Sequence, residues 1–232
     1  MLFNERKQIG GSFIDAERAK KWDERSAKIE SEFQERAKQI AGMLNLNKDS
    51  VLVDLGCGTG QYTLELSAFC GKVLAVDISQ TMLDILKEKA AKRSIANVEC
   101  VESGMLEYLS REGKVDAFIS QTAMHHLPDF WKSVAIHKMA DKLNDRGRIF
   151  LADVIFSFET RKYEENFEGM VKEIAAKGDD GLTNDTKLHL QEESSTFDWV
   201  LEGMFTRANL KVENKIAMSP TYAAYLLSKN AG

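Results

Sequence analysis

The stretch Val51-Leu52-Val53-Asp54-Leu55-Gly56-Cys57-Gly58-Thr59-Gly60-Gln61-Tyr62-Thr63-Leu64-Glu65-Leu66 runs from an apolar strand pattern through three glycines into helical spacing. Glycines at 56, 58 and 60 allow a tight bend and let a ligand approach the backbone, because no Cβ stands in the way. The helix opening behind them presents unpaired N–H groups and a positive dipole end, which suit an anionic group. Turns of every kind use glycine, but a glycine triplet between a strand and a helix marks a cofactor loop. A dinucleotide fingerprint would place its third glycine at Gln61, and no Lys-Ser/Thr pair follows as a P-loop requires. Asp54, an acid within an apolar strand, is costly to bury without a purpose and joins the loop as a binding-site candidate. Cys57 reads as a small residue between glycines, with no neighbouring base to activate it.

Working outward, the period alternates. Residues 25–44 carry Ile29, Phe33, Ala37, Ile40, Ala41 and Leu44 at helical spacing. Strands are expected at 51–53, 72–77, 98–101, 115–120 and 148–154, with helices at 62–69, 80–91 (N-capped by Ser79) and 130–143. Strands alternating with helices imply right-handed crossovers and a parallel sheet covered on both faces. Asp77 then ends the second strand at the sheet's C-terminal edge, where open α/β sheets bind ligands, and its carboxylate can accept from both hydroxyls of a ribose.

The alternation breaks after 156. Residues 157–195 combine a helical pattern (Phe158, Tyr163, Phe167, Met170, Val171, Ile174) with a polar stretch at 177–185 that reads as a loop. So long an excess over a simple connection is usually functional, and this segment is expected to be a lid that orders on ligand binding and selects the substrate. Its aromatics read first as lid core. A helix at 196–208 ending on Asn209, then strands at 210–217 and 222–228, close the chain. The expected division is one domain: a helical cover at 1–45, a cofactor-binding core at 46–156, the lid at 157–195, and a final helix and strand pair at 196–232.

With 44% apolar and 29% charged residues the chain has an ordinary globular balance. A net charge of −5 offers no long-range attraction for a phosphate backbone, so no nucleic-acid partner is expected. Cys57, Cys70 and Cys100 form neither a zinc spacing nor a disulfide framework, and no run is apolar enough to span a bilayer. A cytoplasmic protein without a membrane partner, monomeric or homodimeric, is the expectation.

At these positions the sequence resembles the class I S-adenosylmethionine-dependent methyltransferases, especially the small-molecule group that includes ubiquinone and menaquinone biosynthesis enzymes. The patterns V-L-D-x-G-C-G-T-G, V-D-I-S, V-D-x-x-x-S and H-H-L-P-D occur in order at 51–60, 76–79, 115–120 and 125–129, and the likeness covers residues 12–155. The resemblance implies a Rossmann-like, mostly parallel seven-stranded sheet in the order 3-2-1-4-5-7-6 and S-adenosyl-L-methionine as cofactor. It assigns Asp54, Gly56, Cys57, Gly58 and Gly60 to the methionine end, Asp77 to the ribose, Ile78 to one adenine face and the Gln121 backbone to the far side. In the lead-in at 13–23, Trp22 is the aromatic expected to close over the cofactor. The family's usual Gly-Asp after strand three is absent; Val101-Glu102-Ser103-Gly104-Met105 stands there, so Ser103, Gly104 and Met105 are left to hold adenine.

Of the histidines, His125 and His126 are base candidates, with His126 preferred, although methyl transfer from a sulfonium needs chiefly alignment. His189 and Glu193, four apart, can share a helix face, but two groups are too few for a metal site, and none is expected. Ser120-Gln121-Thr122-Ala123 replaces the Asn/Asp-Pro-Pro-aromatic motif of enzymes acting on base or glutamine amino groups, which favours a small-molecule methyl acceptor. The alternatives are a cofactor-binding regulator without transferase activity and, against the glycine spacing, a nicotinamide-dependent oxidoreductase.

Overall fold

The apolar run of β1 (Val51–Leu55) is paired on both sides, parallel to β2 (Lys72–Asp77) and to β4 (Val115–Gln121). That double pairing explains why, Asp54 apart, its side chains are apolar on both faces. The computed structural model describes residues 3–8, 16–27 and 30–230. Beyond β2 lies β3 (Val98–Glu102), and beyond β4 lies β5 (Leu143–Phe156), both parallel. A two-residue β6 (Thr196–Phe197) extends the end of β5. The last strand, β8 (Tyr222–Lys229), enters antiparallel between β5 and β7 (Leu210–Ser219). The order β3-β2-β1-β4-β5-β8-β7 is the expected topology, with the small β6 added.

Helices cover both faces. Leu52, Ile119 and Phe150 pack toward α3 (Glu30–Met43) and α4 (Gln61–Leu66) through Ala37, Ile40, Tyr62 and Leu66. Leu83 and Leu86 of α5 (Gln80–Lys92) extend that layer over Ala75. On the other face Val53, Phe118 and Tyr225 meet α6 (Met105–Leu109), α7 (Asp129–Lys142) and α10 (Asp198–Arg207) through Leu106, Met139 and Phe205. Ser79 caps α5 by accepting from Met82 N–H, and Asn209 takes the left-handed conformation (φ 54–56° is shared with Asn45). At the start of the chain, α1 (Glu5–Gln8) and α2 (Ala16–Ala27) lie against the C-terminal edge of the sheet. Phe13 falls outside the described residues, and of Trp22 only the backbone, within α2, is described.

Three expectations need correction. The polar stretch 177–185 is mostly helix: α9 (Asp180–Glu192) begins there because the Asp179 carboxylate accepts from Leu182 N–H at 2.9 Å, satisfying a first-turn donor. Strand β5 starts at Leu143, so the polar residues 144–147 belong to the strand side of an irregular register with β4. The final helix starts at Asp198, since Thr196 and Phe197 are paired to β5. In the segment 157–195, α8 (Tyr163–Ala175) has no fully buried residue and rests on α9, while Phe156, Phe158, Phe167 and Phe197 form a local aromatic cluster. Among the described residues no helix is long and apolar enough to cross a membrane.

Candidate functional site

A cavity of about 470 Å³ opens at the C-terminal edge of the sheet, bordered by the glycine loop, the end of β2, the turn after β4 and α9. Gly58 has φ 53° and open space where a Cβ would stand, so its peptide faces the cavity bare. At Gly60, by contrast, a Cβ would fall 2.1 Å from Leu86 Cδ1; this glycine allows α4 to pack on α5. Helix α4 has only six residues, so the loop, and not a long helix dipole, supplies the polar surface. Gly56 and Cys57 N–H groups donate to Val76 O, at 2.8 and 3.1 Å, and tie the loop to β2. Burial pushes the Cys57 thiol well up, with the charges of Asp77 and Asp54 adding, so it stays protonated and inert.

Asp77 holds this corner together. Its two oxygens each accept at 2.8 Å, Oδ2 from Gly58 N–H and Oδ1 from Ser79 N–H, and the carboxylate still borders the cavity. Burial raises its pKa while the backbone N–H bonds offset part of that. Asp54 is fully enclosed and accepts from Thr63 Oγ1 at 2.5 Å; burial pushes it up to about 7, Thr63 pulling it down and the charge of Asp77 adding to the rise. Ile78 and Met105 line the cavity, as does Gly104. Ser103 is buried with its hydroxyl donating to Gly104 O at 3.1 Å. Gln121 donates from Nε2 to Tyr62 Oη at 3.2 Å, and its Oε1 is buried with no hydrogen-bond partner.

The N-terminal helices contribute two contacts the sequence did not announce. The Glu5 carboxylate accepts from Leu106 N–H, at 3.1 and 3.2 Å, beside Gly104 and on the cavity wall. It brings an acid to the region where the family's own acid is missing. Asp23 of α2 accepts from Thr59 Oγ1 at 2.6 Å and pairs with Lys89 at 2.6 Å, fastening α2 to the glycine loop.

At the opposite end of the cavity the two adjacent histidines differ. His125 is buried, its Nδ1 lying 2.5 Å from Asp153 Oδ1 and its backbone N–H donating to Asp153 Oδ2. Burial opposes its protonation, but Asp153 and Glu193 together hold its pKa above the ordinary value. His126 lines the cavity, and burial, with the charge of His125 second, pushes it down to about 4. It is therefore neutral at pH 7. His189 and Glu193 do meet: Glu193 caps the end of α9, and its Oε2 contacts His189 Nδ1 and lies 3.1 Å from His125 Nε2. Asp153 and the assembly of His125, His189 and Glu193 escaped the sequence reading. An acid inside the apolar run 149–156 is the same signal that singled out Asp54, and it marks Asp153 equally.

A glycine loop after β1, a carboxylate ending β2 and this strand order define a class I, Rossmann-like methyltransferase fold. Comparison with known proteins agrees. Residues 52–147 match the model of the methyltransferase domain. A methyltransferase of Anoxybacillus flavithermus is 31% identical over 157 residues, which cover 68% of each chain. One of Schizosaccharomyces pombe is 30% identical over 116 residues, 47% of this chain and 40% of its own, so the chain spans well under half of that relative. The solved magnesium protoporphyrin IX methyltransferase of Synechocystis, with bound S-adenosylmethionine, superposes with a TM-score of 0.59 at 15% identity over 85% of this chain and 79% of its own, a likeness of fold. The chain belongs to the class I S-adenosylmethionine-dependent methyltransferase family.

Proposed function

We propose that this protein binds S-adenosylmethionine across the glycine loop and transfers its methyl group to a small-molecule acceptor held between the cofactor and α9, releasing S-adenosylhomocysteine. The observation that carries the reading is the Asp77 carboxylate, pinned by Gly58 and Ser79 N–H groups yet bordering the cavity. Asp77 takes the ribose hydroxyls, Ile78 and Met105 sandwich adenine, Ser103 and Gly104 shape its edge, and Glu5 supplies the carboxylate for the adenine amino group. Asp54 and the loop 56–60 receive the methionine end, with the Gln121 backbone behind it and Trp22 as the closing aromatic. His126 positions the acceptor. A lone pair on the acceptor forms the new bond to carbon as the carbon–sulfur bond breaks, its electrons staying on sulfur, which becomes a neutral thioether. Alignment and exclusion of water are what the protein contributes.

The test is calorimetric titration with S-adenosylmethionine and with NAD, followed by assay for S-adenosylhomocysteine in the presence of a small-molecule extract. Binding and turnover of the first support the reading; tight binding without turnover supports a regulator, and preference for NAD overturns both.

Two outcomes follow from the site. The cofactor brings a sulfonium and an ammonium close to Asp54, and nearby cations favour the ionised carboxylate. Its pKa then falls from about 7, so binding below that pH releases a proton and affinity rises with pH until it levels off above about 7. Titrations at pH 6.5 in buffers of different ionisation heat should show that release; buffer-independent heats would uncouple Asp54 from the cofactor. In hydrogen-exchange mass spectrometry, saturating S-adenosylmethionine should slow α9, whose Thr186 and His189 border the cavity, more than α8, which has no fully buried residue and borders the cavity through Met170. Equal protection with and without ligand would make 157–195 a permanently docked insertion instead of a lid.

A further inference from the structure

The acceptor end of the cavity contains three Lewis bases turned toward one another. An ionised Asp153 can only accept, so the 2.5 Å contact puts a proton of His125 on Nδ1, and Nε2 is the nitrogen that the neutral ring offers to a ligand. That Nε2 lies 3.1 Å from Glu193 Oε2. His189 has Nε2 2.7 Å from Ser195 Oγ; with the proton donated there, its Nδ1 also turns a lone pair on the same Glu193 oxygen. Glu193 Oε2 is buried and lies against a ring nitrogen of each histidine. Two ring nitrogens and a carboxylate oxygen are thus offered together at one point of the cavity wall.

Asp153 is buried, Glu193 is about a quarter exposed, and the nearby buried Lys132 is already matched to Asp129 at 2.9 Å. A divalent cation held by the neutral rings would balance the two carboxylates. The donor atoms of His125, His189 and Glu193 all lie within 4.8 Å of one another, and a zinc ion at about 2.0–2.2 Å from each ligand requires the Glu193 carboxylate to draw back from His189 Nδ1 so that the three donors surround it. Two imidazoles and one carboxylate suit a borderline first-row ion, whereas magnesium and calcium prefer all-oxygen shells. The outer partners are in place as well: Asp153 orients His125, and Ser195 orients His189.

We propose that His125, His189 and Glu193 bind one divalent first-row transition-metal ion, zinc foremost, whose open position faces the cavity and takes the oxygen of a hydroxyl-bearing acceptor. The acceptor assignment rests on the methyl-transfer reading; the ion site does not. Bound to the ion, the acceptor hydroxyl loses its proton to solvent near neutral pH, and the resulting oxyanion attacks the methyl carbon as the carbon–sulfur bond breaks.

The experiment loads the metal-stripped full-length chain with Zn²⁺, and separately with Co²⁺, then measures metal content after gel filtration and the visible spectrum of the cobalt form. One ion per chain, with the intense visible bands of four- or five-coordinate cobalt, supports the site. His189→Ala and Glu193→Gln should each weaken Zn²⁺ binding by about 100-fold or more, consistent with the loss of one ligand, while circular dichroism and S-adenosylmethionine affinity stay unchanged. No retained zinc, or retention undiminished in both variants, overturns the proposal, as does a site filled by Mg²⁺ in preference to Zn²⁺. Calorimetry with S-adenosylmethionine separates the two readings: cofactor binding without zinc removes only the ion, and zinc without cofactor binding removes only the methyltransferase assignment.

Discussion

Replacing Gly58 by valine should lower the affinity for S-adenosylmethionine by about 100-fold or more, about 2.7 kcal/mol, while the chain still folds. Beyond the adjoining residues the valine Cβ would meet no protein atom within 4 Å. It would project into the cavity along the path the cofactor follows past the loop. The backbone also matters: φ is 53° there, and a β-branched residue in that region costs about 1–2 kcal/mol, or about 2–8 °C in Tm. Calorimetry and thermal denaturation read the two effects separately, and Gly58→Ala isolates strain from bulk. Gly60→Val serves as the contrast, since the clash with Leu86 should damage folding itself. Normal cofactor binding by Gly58→Val would show the loop to be a structural turn and the ligand site to lie elsewhere.

Asp77→Ala should weaken the same binding by about 1.5–3 kcal/mol, the scale of hydrogen bonds to a charged acceptor. Part of that loss comes from the loop, because Gly58 and Ser79 N–H groups would lose their 2.8 Å partner. Asp77→Asn separates the contributions: it keeps one acceptor oxygen for the backbone and loses the charge. Asp77→Glu should recover little, since a longer arm cannot keep both oxygens on those two donors while facing a ribose. Unchanged affinity in Asp77→Ala would remove the ribose assignment.

These two positions were legible because their information is local. Strand, turn and helix follow one another within 51–66, and Asp77 ends the next apolar run. Period alone found the five parallel strands and the edge where the cavity opens. It misread 177–185, where Gly and Asp suggest a loop, because the capping bond from Leu182 N–H to Asp179 outweighs composition. It also could not assemble the far end of the cavity. His125 follows β4, Asp153 sits within β5, and His189 and Glu193 come from α9, so their meeting is a product of sheet order and not of spacing. Glu5 is a similar case: an acid a hundred positions upstream reaches the cavity wall after β3, accepting from Leu106 N–H.

The segment 157–195 is anchored at each end independently of what lies between. Ser157 N–H donates to Pro220 O at 2.9 Å, Ser194 N–H to His125 O at 2.9 Å, and Thr196 and Phe197 pair with the tip of β5. Helices α8 and α9 hang between those posts without contributing a strand to the sheet. In evolutionary terms the segment is built as a cassette: replacement of 158–188 should leave the sheet register and the glycine loop intact, because neither draws a strand from α8 or α9.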